Sequence, residues 1–328
     1  MTILVAGGAG YIGSHTVKEL VRSGFDVLCF DNFSSGRKEF IRNTPCVQGD
    51  LMDKQAVREA FRTKSIAAVL HFASLIQVGE SYADPRKYYT HNLQTSLNLF
   101  DAMLEAGVRN LIFSSSAAIY GPPQETPIPE THPLNPANPY GQTKFMVERI
   151  LRDYDRAYGL RSVSLRYFNA AGADPDGETG ETHRPETHLI PNILLGLLGQ
   201  GTRLGVFGND FSTPDGTAVR DYIHVTDLAT AHILALKALL AGGPTDTFNL
   251  GTNRGFSVLE VIRKAEQVTG RKVAYDIRPR REGDVAVLLA SKEKAERSLG
   301  WKPRLSSLET IIETAWNWHK SRKAPSAA

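Results

Sequence analysis

The chain has 328 residues, 38 lysines and arginines against 35 aspartates and glutamates, and 41% apolar residues. A chain of this length buries about three quarters of its unfolded surface and carries a soft prior of two domains, which excludes a stapled mini-protein and a disordered tail. The net charge of +3 comes with mixed signs along the sequence, so no nucleic-acid stripe is expected.

Met1 to Ala6 has no basic n-region and runs into a glycine loop, as a first strand does and a secretion signal does not. From residue 1 to 168, short β-branched runs alternate with helical patterns. This predicts an α/β fold with a doubly wound parallel sheet of Rossmann type. Strands are expected near 2–6, 26–30, 45–49, 66–72, 109–115 and 161–167. Leu93, Leu97, Phe100 and Leu104 keep helical spacing, as do Val147, Ile150, Leu151 and Tyr154. Cys29 and Cys46 follow no metal-ligand spacing, so they are read as small core residues of a reducing compartment, and no metal site is expected.

The first motif is Ala6-Gly7-Gly8-Ala9-Gly10-Tyr11-Ile12-Gly13, between the first strand and the first helix. A dinucleotide needs a tight turn at Gly7, close backbone approach at Gly10 and close helix packing at Gly13, with the helix N-terminus facing the pyrophosphate. Strand two ends at Asp31, 18 residues past Gly13 (31 − 13), where a carboxylate accepts hydrogen bonds from an adenosine ribose and repels a 2′-phosphate. The expected cofactor is therefore NAD rather than NADP. Asp50, closing the third strand, suits either an adenine contact or a plain turn.

The second motif is Asn138-Pro139-Tyr140-Gly141-Gln142-Thr143-Lys144, a capped helix start with proline at its first position. Residues 140, 144, 147 and 151 share one face, and Val147 and Leu151 are core residues, so Lys144 is expected to point inward. A buried ammonium beside a phenol is expected to lower the phenol's pKa toward the working range of a general base. The strand Leu111-Ile112-Phe113 delivers Ser114, Ser115 and Ser116 to the carboxyl edge of the sheet, where open α/β folds place ligands.

Past residue 169 the texture changes to a Gly- and acid-rich loop, Gly172 to Glu186, and then to mixed elements, read as a second, smaller α/β domain over 169–328. Part of the chain near 220–240 is expected to pack back on the first domain. The apolar stretches His188 to Gly199 and Ala229 to Leu240 are interrupted and fall short of the roughly 20 residues of a bilayer span, so a cytoplasmic protein without membrane contact is expected. Ser257 with Glu260 and Ser306 with Glu309 read as capping boxes, Gly270 as a helix C-cap, and Arg322 to Ala328 as a frayed tail.

The chain resembles the extended short-chain dehydrogenases/reductases and, within them, the UDP-glucose 4-epimerases. The resemblance runs through Gly7 to His15, His71-Phe72-Ala73, Val78 to Ser81, Phe113 to Gly121, Tyr140 to Lys144, Arg166 to Asn169, Phe207 to Asp210, Val219 to His224 and Arg280 to Asp284. It implies Tyr140 as the base on the sugar 4′-hydroxyl, Lys144 as its electrostatic partner and Ser116 as a bridging hydroxyl. On the NAD side it implies Gly7, Gly10, Tyr11, Ile12, Gly13, Asp31, Asn32, Asp50, Leu51, Phe72, Ala73, Asn92, Ser114 and Tyr167, besides Tyr140 and Lys144. Helix capping near His91 explains Asn92 equally well. On the UDP-sugar side it implies Ser116, Tyr140, Phe168, Asn169, His188, Leu189, Phe207, Arg220, Arg281, Asp284 and Leu288. Two arginines from separate segments suit a pyrophosphate. The implied reaction is reversal of configuration at C4 through a transient 4-keto sugar, and the implied assembly is a homodimer.

A 4,6-dehydratase would carry an acidic pair after the strand, whereas no carboxylate occurs between Ser114 and Gln124. A non-catalytic NAD sensor is disfavoured because both Tyr140 and Lys144 are present. Leu288 is expected to narrow the pocket around C2 against N-acetyl sugars, leaving a pentose or uronate as other substrates to consider.

Overall fold

The computed structural model describes residues 1–201, 203–281 and 283–322. The first half runs β1 (Thr2–Ala6), α1 (Tyr11–Arg22), β2 (Asp26–Asp31), α2 (Lys38–Ile41), β3 (Cys46–Gln48), α3 (Lys54–Thr63), β4 (Ile66–His71), α4 (Val78–Ala83), α5 (Pro85–Glu105), β5 (Asn110–Ser114), a 3₁₀ turn at Ala117–Tyr120, α6 (Pro139–Tyr158) and β6 (Arg161–Arg166). It continues with β7 (Asn169–Ala171), α7 (Leu189–Leu197), β8 (Leu204–Phe207), β9 (Val219–His224), α8 (Val225–Leu240), β10 (Asp246–Asn249), β11 (Gly255–Ser257), α9 (Val258–Thr269), β12 (Tyr275–Arg278), β13 (Val287–Leu288), α10 (Glu293–Leu299) and α11 (Leu308–Ser321).

Among the described residues, seven parallel strands lie in the order β10-β6-β5-β4-β1-β2-β3. The central strands β1, β2, β4, β5 and β6 are buried on both faces, while the edge strands β3 and β10 are partly open. Ile3 and Val5 meet Val17, Leu20 and Leu236 in one core, while Leu4 and Ala6 meet Leu99, Phe113 and Leu151 in the other. That double burial produces the continuous apolar runs of the sequence. The edge strand β10 pairs with β6 from Asp246↔Val163 to Asn249↔Arg166, and α8 packs on α1, so the sheet layer draws on chain beyond residue 169.

The remaining elements form a smaller body. β9 pairs with β11, β13 and β7, and β8 pairs with β12. Ile193, Val261, Ile262, Ile311 and Ile312 close the core between α7, α9 and α11.

Several local expectations change. The α11 cap is Ser307, which accepts from Thr310 N at 3.1 Å, one residue after the expected Ser306. Ser306 is drawn inward instead, donating to Asp227 Oδ2 and accepting from His224 N. The helix placed near His91 starts at Pro85 under an Asp84 cap, and its most buried stripe includes Asn92, Ser96, Leu99 and Met103, with Leu93 and Leu104 only half-buried. Cys29 is buried and Cys46 half-buried, both as free thiols. Arg322 is not loose: it stacks 4.7 Å over Trp318 and pairs with Glu39. The rest of the expected frayed tail, 323–328, lies outside the described residues, as does Glu282 of the 280–284 motif.

The sheet order reverses between β4 and β1, and the crevice beyond their carboxyl ends is where such sheets bind ligands.

Candidate active site

The glycine loop fills the first side of this crevice. Gly7 has φ +80°, and a Cβ there would sit 2.6 Å from Ala73 N; a Cβ at Gly13 would sit 2.1 Å from Gly7 O. The N-cap of α1 is Gly10, which has no side chain to cap the helix, so the first-turn N–H groups are left for an external anion. Asp31 closes β2 and accepts from Ala9 N at 2.9 Å and Phe33 N at 2.8 Å; burial raises its pKa, which those two bonds oppose. Asn32 donates to Asp50, whose other oxygen accepts from Met52 N. These features fit a dinucleotide with its pyrophosphate over α1 and its ribose at the β2 edge.

Opposite them, Asn138 caps α6 by accepting from Gly141 N at 2.8 Å, with Pro139 in the first turn. This start sets Tyr140 and Lys144 one turn apart. Lys144 is buried, donates to the Ser114 carbonyl at 2.9 Å and lies 5.9 Å from the Tyr140 ring centroid. Burial lowers its pKa to about 7, with Glu148 acting in the opposite sense. Burial also raises the Tyr140 phenol, against a lowering by the Ser116 hydroxyl. The expected depression of the phenol by the lysine is therefore corrected for the protein alone: desolvation disfavours charge on both groups and sets the direction of both shifts. Ser116 Oγ accepts from Ala118 N at 3.1 Å, and Ser114 Oγ shares a 2.5 Å hydrogen bond with Tyr167 OH.

The cleft continues into the smaller body and measures about 1100 Å³. Of the residues named from the sequence, its wall includes Gly7, Gly10, Tyr11, Ile12, Gly13, Phe72, Ser114, Ser116, Tyr140, Lys144, Tyr167, Phe168, Asn169, His188, Leu189, Phe207, Arg220, Arg281, Asp284 and Leu288. Arg220, on β9, donates to the Val219 and Val285 carbonyls and approaches Asp284 Oδ1 at 3.4 Å. The Arg281 guanidinium lies 4.0 Å over the Phe207 ring. Asn169 Nδ2 donates to the Asp221 carbonyl at 2.8 Å, and Leu288 pairs with Arg220 through the β13–β9 register. His188, the α7 N-cap, is held by Glu181 and Glu186 at 2.8 Å; burial lowers its pKa, but the two carboxylates push it up to about 10.

Asp31, Asn32, Asp50, Leu51, Ala73 and Asn92 are not part of this wall among the described residues. Asn92 is no helix cap. It is buried in α5, accepts from Leu75 N and donates to Leu75 O and Thr143 Oγ1, bracing the segment after β4 against α6. Leu51 belongs to the core under α3 and α5.

Sequence reasoning missed the support behind Lys144. Glu148, one turn further along α6, is buried and accepts from Ser115 Oγ at 2.6 Å and from Arg166 at 2.9 and 2.5 Å. Arg166 donates onward to Tyr120 OH, which donates to Asn249. The i+4 spacing from Lys144 to Glu148 was the available signal.

The pattern of the NAD dependent epimerase/dehydratase family matches residues 3–251. A protein of Halalkalibacterium halodurans named UDP-glucose 4-epimerase is 50% identical over 98% of this chain and 96% of its own. The crystal structure of UDP-glucose 4-epimerase from Brucella ovis in complex with NAD is 47% identical with TM-score 0.94, covering 96% of this chain and 97% of that one. The Bifidobacterium longum enzyme in complex with NAD+ and UDP is 40% identical with TM-score 0.93, covering 98% of each chain. The chain belongs to the NAD dependent epimerase/dehydratase family.

Proposed function

We infer that this protein is an NAD-dependent 4-epimerase that interconverts UDP-glucose and UDP-galactose. The observation that carries the reading is that one cleft brings Tyr140, Lys144 and Ser116 to the glycine loop on one side and Arg220 and Arg281 on the other. Residues 1–168 supply the NAD side and the chain from 169 the UDP-sugar side, with α8 and β10 returning to the first layer. Asp31 favours NAD by repelling a 2′-phosphate.

NAD, held by the glycine loop and Asp31, would supply the hydride acceptor and donor for C4, through which the sugar passes as a transient 4-keto species. Tyr140 takes the 4′-hydroxyl proton and gives it back, with the Ser116 hydroxyl bridging phenol and sugar. Lys144, tied to the Ser114 carbonyl, holds a proton close to the phenol and reaches toward the nicotinamide ribose. Arg220 and Arg281 clamp the diphosphate, with Phe207 against the uridine. Firm anchoring of UDP leaves the hexose free to turn. Leu288, which lines the cleft and packs on the same small apolar cluster as Phe168, crowds C2 and disfavours N-acetyl sugars.

A homodimer and a cytoplasmic location belong to the same reading. Leu93 and Leu104 on α5 and Ile150 and Tyr154 on α6 are only half-buried and offer the apolar face. No described helix is long and apolar enough to cross a membrane. The test is turnover of UDP-galactose followed by NMR, with no added oxidant or reductant. Formation of UDP-glucose without net NADH is expected. NAD binding without conversion of any UDP-sugar would favour a sensor.

A further inference from the structure

Residues 172–188 carry no helix or strand, yet this segment forms one wall of the cleft and delivers His188 to the start of α7. Connections this long without secondary structure are uncommon inside a compact fold, and the ordered ones are usually functional. Its first part is held by ion pairs: Lys18 binds Asp174, Asp176 and Glu178, and Arg22 and Arg42 add to them. Its second part has no such partner. Among the described residues no lysine or arginine pairs with Glu181 or Glu186.

Instead, two carboxylates and two imidazoles converge. One ligand atom each from Glu181, His183, Glu186 and His188 lies within 4.8 Å of all the others. The Nδ1 atoms of His183 and His188 both stand 2.8 Å from Glu181 Oε1, and His188 Nδ1 stands 2.8 Å from Glu186 Oε1. Zinc bonds of 2.0–2.1 Å in a tetrahedral shell set ligand atoms about 3.3 Å apart, within reach of side-chain rotation from this arrangement. Nitrogen-rich sets suit zinc and its neighbours, whereas calcium and magnesium require mostly oxygen.

We propose that Glu181, His183, Glu186 and His188 bind one divalent transition-metal ion, zinc by ligand chemistry, which pins the 172–188 segment and sets α7 on the cleft wall. Binding releases the proton that His188 otherwise carries between the two carboxylates, and two carboxylates with two neutral imidazoles then match the charge of such an ion. The surroundings are built for it. Glu181 is buried, its backbone carbonyl accepts from Trp318 Nε1 at 3.0 Å, and Tyr11 meets His183 edge-on at 6.2 Å. Glu186 Oε1 is oriented by the N–H groups of Thr187 and His188. All four residues line the cleft, which gives the ion a route in. The expectation of no metal site rested on cysteine spacing and did not weigh this Glu-x-His-x-x-Glu-x-His run.

The proposal does not depend on the epimerase reading, and its test needs no turnover. Untagged full-length protein, stripped with a chelator and dialysed, is titrated with Zn²⁺ against a chromophoric indicator and with Co²⁺ in visible absorption. One Zn²⁺ per chain is expected, with a cobalt spectrum of a nitrogen- and oxygen-ligated low-coordinate site and at least a tenfold loss of affinity in His183→Ala. Zinc-edge anomalous diffraction from crystals of the unaltered protein covers the case of a variant that fails to fold, and the peak is expected between these four side chains. Absence of binding at stoichiometric zinc, unchanged affinity in a folded His183→Ala protein, or an anomalous peak elsewhere overturns the proposal.

Discussion

Two arginines near the cleft, Arg166 behind its wall and Arg220 on it, behave in opposite ways. Arg166, on β6, is 1% exposed and is committed to neighbours inside the fold: a two-pronged pair with Glu148, and Tyr120 OH. Arg220, on β9, faces the cleft, with two carbonyls and a 3.4 Å approach to Asp284 as its partners. Burial alone does not separate structural from ligand-binding charge, since both guanidinia are largely desolvated. The difference is partner and place: each makes three hydrogen bonds, but Arg166 meets the buried Glu148 carboxylate through two short bonds and lies behind the cleft wall, whereas Arg220 lines the cleft and reaches a carboxylate only at 3.4 Å.

The comparison can be broken by mutation. Tyr140→Phe, at the chemical end of the cleft, is expected to lower kcat by roughly 10³-fold while NAD remains bound, within the range for loss of a general base. Retained turnover would move the proton transfer to another group. Next in size is Arg166→Met, which leaves Glu148 buried and unpaired at a cost of about 3–5 kcal/mol of stability, whereas Glu148→Leu with Arg166→Met recovers most of it. Urea unfolding of the single and double variants reads this directly. Arg220→Met is expected to change stability by less than about 1 kcal/mol but to raise KM for UDP-sugar roughly 10- to 100-fold with kcat little changed, the signature of lost ground-state binding. Equal stability losses at 166 and 220 would erase the distinction.

A pH test sharpens it further. Asp221 lies beside Arg220 in β9, and burial raises its pKa to about 7 despite bonds from Thr252 and Ala290. Between about pH 4 and 7 the folded state therefore holds a proton that the unfolded state has lost, so this group's contribution to stability falls as pH rises through that window. The change is on the order of 4 kcal/mol at most. Melting curves of Asp221→Asn should lack this slope; parallel curves for the two proteins would refute it. The smallest effect is expected at Leu288→Ser, a several-fold gain in kcat/KM for UDP-N-acetylglucosamine relative to UDP-glucose, measured by competition.

Legibility in the sequence followed the same division. The parallel sheet was readable because its central strands are buried on both faces, and the Tyr140 helix because Asn138 and Pro139 fix its start. β10 was missed because Asp246-Thr247-Phe248-Asn249 is short and polar, and pairing with β6 decides its state. Ser306 and Ser307 are adjacent hydroxyls with equal capping propensity, and the tertiary bond to Asp227 selects between them. The phenol's direction of shift was misjudged because residue spacing reports proximity and not desolvation. The residues beyond 169 that line the cleft came from family resemblance, since their spacing carries no periodic signal.

The most direct measurement is a crystal structure of the Tyr140→Phe variant with NAD and UDP-glucose. The account predicts the diphosphate on Arg220 and Arg281, the sugar 4′-hydroxyl within hydrogen-bond reach of Ser116 Oγ, and Arg166 unmoved on Glu148. A diphosphate bound away from Arg220 and Arg281, or a sugar whose C4 points away from Ser116 and position 140, would contradict it.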